Sequence, residues 1–100
     1  MTQQLSASPT MRAAFLYGRL DVRVEPTPTP RLERPDDVQI AIAYTGICGS
    51  ELHAIEGYQL TKPSGVNSPA KPAQLGHEYA GVITAVGPAV QTLAVGQRVT

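Results

Sequence analysis

The sequence predicts a mainly β fold: a small, partly open β-barrel with one short helix. Apolar runs of about five to eight residues, each bounded by Gly, Pro or Asp, have the length and punctuation of strands. Only one stretch carries the spacing of a helix, and prolines at nine of the 100 positions keep helices short elsewhere.

Met11 to Tyr17 is the first apolar run and stops at Gly18, after which Val22 and Val24 alternate with charged residues. Two strands joined by a tight turn are expected. Pro26, Pro28 and Pro30 then argue for an extended connector. Pro35-Asp36-Asp37 is a turn signal, and Val38 to Tyr44 alternates so that Val38, Ile40, Ile42 and Tyr44 share one face of a strand. Ser50 to Ile55 is the helix, with Leu52 and Ile55 on a common face and Gly57 placed to end it. Tyr58 to Leu75, rich in Pro and Gly, reads as a long loop. Glu78 to Val86 returns to strand, with Gly81 a bulge or close-approach position and Gly87-Pro88 its end, and Val95 to Thr100 begins another.

A hundred residues suffice for one domain, residues 11–100, preceded by a flexible polar extension over 1–10 that lacks the blocks of a secretory signal. Eight Lys plus Arg balance eight Asp plus Glu, and the basic residues are scattered, so neither nucleic acid nor an anionic membrane is an expected partner. No apolar run approaches the roughly twenty residues that cross a bilayer. With a single cysteine the fold needs no oxidising compartment, and the expected location is cytoplasmic.

That cysteine, Cys48, precedes the helix, where unpaired backbone N–H groups favour a thiolate, the form that binds metal. A lone cysteine is more commonly a small core residue, but the flanking glycines and polar helix start weigh against that here. Ser50 and His53, three apart, share a helix face and can pass a proton, whereas Cys48 and His53 diverge. Spacing alone balances a proton carrier against an ordinary surface histidine at His53. His77 and Glu78 are adjacent, so either the backbone turns and both reach a metal, or one binds and the other waits nearby. Glu51 is a candidate to fix the far nitrogen of a ligating histidine, although spacing alone favours a solvated carboxylate.

Gly46-Ile47-Cys48-Gly49-Ser50-Glu51-Leu52-His53 resembles the zinc-binding signature of the medium-chain zinc-dependent alcohol and polyol dehydrogenases. Gly76-His77-Glu78-Tyr79-Ala80-Gly81-Val82-Ile83-Thr84-Ala85-Val86-Gly87 is similar to a second stretch of that family, and Val95-Gly96-Gln97-Arg98-Val99 to a third. The resemblance implies a GroES-like catalytic domain, with NAD(P) bound by a downstream Rossmann domain not present in this chain. It implies Zn2+ on Cys48 and His77, Glu78 as a third or exchangeable ligand, and a proton relay through Ser50 and His53. The implied reaction of the full-length protein is oxidation of a small secondary alcohol, diol or polyol to a ketone, the longer loop leaning toward butanediol and polyol dehydrogenases. A homo-oligomer, dimer or tetramer, is implied as well. Two positions depart from the family pattern, Glu51 and Gln97 each standing where Asp is usual.

No G-x-G-x-x-G occurs, so the nicotinamide site is not expected in these residues, and as an isolated fragment they should lack hydride transfer. Two rival readings are a non-catalytic GroES-like interaction module and a zinc-independent quinone or enoyl reductase relative. The cysteine and the Gly-His-Glu stretch count against the second.

Overall fold

A computed structural model describes residues 3–4, 8–57 and 72–100. Its elements in chain order are β1 (Gln3–Gln4), β2 (Thr10–Gly18), β3 (Asp21–Pro28), β4 (Val38–Gly46), α1 (Gly49–Ile55), β5 (Ala73–Gln74), β6 (Glu78–Val86) and β7 (Arg98–Val99). They form two open sheets, one ordered β1-β6-β4 with β7 also on β6, the other ordered β3-β2-β5. Among the described residues, the mainly β architecture with a single short helix is as the sequence predicts.

The residues group into two compact units, each interleaved from separate segments. One draws on Met1–Pro9, Pro28–Thr45 and Tyr79–Thr100, the other on Thr10–Thr27 and Gly46–Glu78.

In the first unit β6 is the central strand. It pairs antiparallel with β1, Gln3 opposite Val86, and with β7, Gly81 opposite Val99. Residues 1–10 were expected to be a flexible extension, yet Gln3–Gln4 add to the sheet and Pro9 O accepts a hydrogen bond from Thr29 N at 3.0 Å. Ile83 and Ala85 are fully buried on this strand, which has neighbours on both edges. Gly81 answers the choice left open between bulge and close approach: a Cβ there would lie 2.2 Å from Ala41 O and 2.8 Å from Ile40 Cγ2. A turn signal was read at Pro35-Asp36-Asp37, and Asp37 holds it. Its carboxylate accepts from the backbone N–H groups of Glu33 and Arg34, which keep it below the ordinary value. The alternation along β4 identifies the strand but not a covered face, since Ile42 is 52% and Tyr44 79% exposed. The strand expected from Val95 shortens to Arg98–Val99 because Gly96, at φ 92°, makes a turn first. Gln97 closes that turn by accepting from Ala94 N through its side chain.

In the second unit, β2 and β3 are joined through Arg19 and Leu20, the latter left-handed at φ 60°. Strand β3 continues through Pro26 to Pro28, where a connector was expected. It is an edge strand, so a proline's missing N–H can face away from the ladder without cost. Strand β5 is a second revision. Ala73–Gln74, within the expected loop, pairs antiparallel with Leu16 and Phe15, covering the fully buried Leu16. The remainder of that loop, 58–71, lies outside the described residues. Across the hairpin, Arg23 grips Asp21 through two hydrogen bonds and lies 4.2 Å from the Tyr17 ring centroid. Glu25 hydrogen-bonds the Tyr17 hydroxyl and holds it above its ordinary value. In α1 the buried residue is Ala54, while Leu52 of the expected apolar face is exposed.

Gly81→Ala should destabilise the protein by roughly 3 kcal/mol, since backbone rather than a yielding side chain blocks the new methyl. Denaturant unfolding of the two forms measures it, and an unchanged midpoint would contradict the close approach.

Candidate metal centre

Three chain positions converge in the second unit. Cys48 ends the segment after β4 and is the N-cap of α1, with extended backbone at φ −102° and ψ 153°. Glu51 N and Leu52 N donate to Cys48 O at 3.0 and 3.4 Å, so the start of the helix fixes this residue's backbone. The Cys48 side chain makes no capping hydrogen bond and is left available. His77 and Glu78 arrive from the other direction, after Gly76, which is left-handed at φ 103°. The backbone does turn there, and both side chains reach the same place.

One ligand atom each of Cys48, His77 and Glu78 lies within 4.8 Å of the others. Donors around a single zinc ion stand about 3–4 Å apart, given bond lengths near 2.0–2.3 Å and tetrahedral angles. The Nε2 of His77 is 3.9 Å from Glu78 Oε2. A thiol, an imidazole and a carboxylate are a donor set suited to a borderline-soft cation. His77 and Glu78 are exposed and Cys48 half-buried, so the place is open to a small ligand.

Two further residues shape the cluster. A Cβ on Gly46 would lie 3.2 Å from Glu78 Oε1, so the absence of a side chain there makes room for the carboxylate. Spacing did not single out Gly46 for this role, because the crowding comes from a residue far along the chain. Glu51 is the second. A solvated carboxylate was the favoured reading, and the structure corrects it: the side chain is only 12% exposed, and its Oε1 stands 3.5 Å from His77 Nδ1. That oxygen is buried and accepts no hydrogen bond among the described residues. A buried carboxylate oxygen without a partner is costly. Closing a few tenths of an ångström onto an Nδ1–H would satisfy it and leave Nε2 unprotonated on the Glu78 side.

Ser50 and His53 lie on α1 as expected. The Ser50 hydroxyl donates to Cys48 Sγ at 3.4 Å, which puts it at the cluster. His53 is exposed, one turn further along the helix.

A profile of the alcohol dehydrogenase GroES-like domain matches residues 34–100, a stretch that contains every residue of the cluster. The chain belongs to this family. A probable zinc-binding alcohol dehydrogenase of Mycobacterium tuberculosis is 43% identical over 90 residues, covering 89% of this chain and 21% of that protein. An (R,R)-butanediol dehydrogenase of Neisseria gonorrhoeae is 39% identical over 94 residues, 89% of this chain and 26% of the relative. A probable D-xylulose reductase A of Aspergillus clavatus is 40% identical over 98 residues, 94% of this chain and 25% of the relative. The chain thus spans about a quarter of the length of these curated relatives. Among the described residues, no helix is long and apolar enough to cross a membrane.

Replacing Glu51 with Ala should weaken metal binding roughly 10- to 100-fold, while Glu51→Asp recovers part of the loss. Chelator competition measures both, and an unchanged affinity in Glu51→Ala would remove the carboxylate from the site.

Proposed function

We propose that this chain is the metal-holding part of a zinc-dependent, NAD(P)-linked dehydrogenase that oxidises a small secondary alcohol, diol or polyol to a ketone. The observation that carries the reading is the convergence of Cys48, His77 and Glu78 within 4.8 Å. The buried carboxylate of Glu51 behind His77 Nδ1 adds to it. The names of the relatives bear on the substrate class only as a guide.

Residues 11–100 are proposed as a GroES-like catalytic domain, and the nicotinamide site as lying in residues outside this chain. Cys48 and His77 would hold the zinc, and Glu78 would be a third or exchangeable ligand. When bound, zinc supplies a Lewis acid that lowers the pKa of an alcohol, and the nicotinamide supplies the hydride acceptor.

The other steps belong to the chain's own residues. Glu51 keeps the His77 proton on Nδ1, so that Nε2 is free to bind metal. The hydroxyl of Ser50, hydrogen-bonded to Cys48 Sγ, would receive the proton an alcohol loses. His53 would take the hydroxyl proton that Ser50 gives up as it accepts the alcohol's, and release it to solvent, with which its exposed position is compatible.

Zinc content should fall in both Cys48→Ala and His77→Ala when measured in the full-length protein. Unchanged zinc in both would defeat the site assignment and favour a non-catalytic interaction module. His53→Gln should leave zinc bound, slow turnover about 10-fold or more and alter its pH dependence. Turnover with an unaltered pH profile would make His53 an ordinary surface residue.

A further inference from the structure

Helix α1 carries Cys48 at its cap and Ser50, Glu51 and His53 along its length, yet it is only seven residues long. A helix this short has little stability of its own and takes its orientation from contacts with the rest of the fold. At its start, Cys48 offers no side-chain cap. At its far end the contacts are specific, and they come from the β2–β3 turn.

The last carbonyls of a helix have no partner within it. Here Ile55 O accepts from Leu20 N at 2.8 Å, and Glu56 O accepts from Arg19 Nε at 3.0 Å. The Arg19 stem also covers Gly57, where a Cβ would lie 3.3 Å from Arg19 Cδ and 3.4 Å from Cγ. Gly57 itself is left-handed at φ 104°, so the chain leaves the helix closely under the arginine. A guanidinium at a helix C-terminus also meets the negative end of the helix dipole.

We infer that Arg19 is a positioning residue for the metal centre, clamping the C-terminal end of α1 so that Cys48, Ser50 and Glu51 at its other end meet His77 and Glu78. The inference rests on the metal-site reading proposed above. Leu20 contributes only a backbone N–H to the clamp, so a side-chain change there does not test it. At Arg19 the side chain is the contact. Arg19→Met keeps the stem over Gly57 and removes the donor, and Arg19→Lys keeps both a stem and a donor. Arg23→Ala disrupts the same hairpin through its contacts with Asp21 and Tyr17, without any contact to α1 that the geometry above describes.

The test compares these variants as full-length proteins, with zinc affinity from chelator competition and ligand geometry from the visible absorption of the Co2+-substituted forms. Arg19→Met should bind zinc roughly five- to tenfold more weakly and shift the cobalt bands. Arg19→Lys should stay within about twofold of wild type. Arg23→Ala should match wild type in affinity and spectrum. Wild-type affinity and spectrum in Arg19→Met would overturn the clamp while leaving the metal site intact. A loss in Arg23→Ala equal to that in Arg19→Met would also overturn it, because general hairpin instability would then account for the effect. If wild type and Cys48→Ala bound zinc alike, the metal-site reading would fail, and the clamp with it.

Discussion

The approach of the Glu78 carboxylate to Gly46 is the contact on which the metal cluster depends. A thiol and an imidazole 29 positions apart in sequence, His77 minus Cys48, become neighbours only if the start of β6 lies against the end of β4. Glycine at 46 leaves room beside it for the Glu78 side chain, whose Oε1 would lie 3.2 Å from a Cβ there. The left-handed turn at Gly76 then swings two adjacent side chains toward one point, which regular strand geometry would send to opposite faces. Glycine tolerates that turn without the steric penalty other residues meet.

Burial decides what Glu51 does. In the first turn of an exposed helix a carboxylate gains a little from the dipole and keeps its water. Here most of its surface is covered and one oxygen lacks a hydrogen bond among the described residues, with His77 Nδ1 3.5 Å from that oxygen. The extra methylene relative to aspartate does not remove the carboxylate from the imidazole. Glu51 Oε1 stands 3.5 Å from it, a few tenths of an ångström from a hydrogen bond that would orient the ring and select its tautomer.

Local pattern carried much of the fold because strands and turns announce themselves in neighbouring residues. Strand β6 runs over Glu78–Val86 as expected, up to the Gly87-Pro88 stop, and the turn at Asp37 follows from a side chain that reaches backbone three and four positions earlier. Long-range pairing carried the rest. Ala73–Gln74 looks like loop in isolation and is a strand only because Phe15 and Leu16 lie opposite. Pro26 and Pro28 read as a connector, yet an edge position accepts them. Ile42 and Tyr44 alternate as a covered face would and stay exposed, since a strand's period reports which residues share a face and not what packs on it.

The sequence by itself determined a mainly β chain, with one short helix among the described residues, and nominated Cys48, Ser50, His53, His77 and Glu78 as candidates for chemistry. Periodicity suffices for the elements and side-chain type for the candidate donors, whereas spacing alone left His53 balanced between a proton carrier and a surface histidine, and the motif resemblance supplied the roles. Only the tertiary structure decided that His77 and Glu78 both turn toward Cys48, that Glu51 is buried behind the imidazole, and that the β2–β3 turn holds the far end of α1. Each of these depends on a contact between residues distant in sequence, and neither propensity nor local spacing encodes the distance between them.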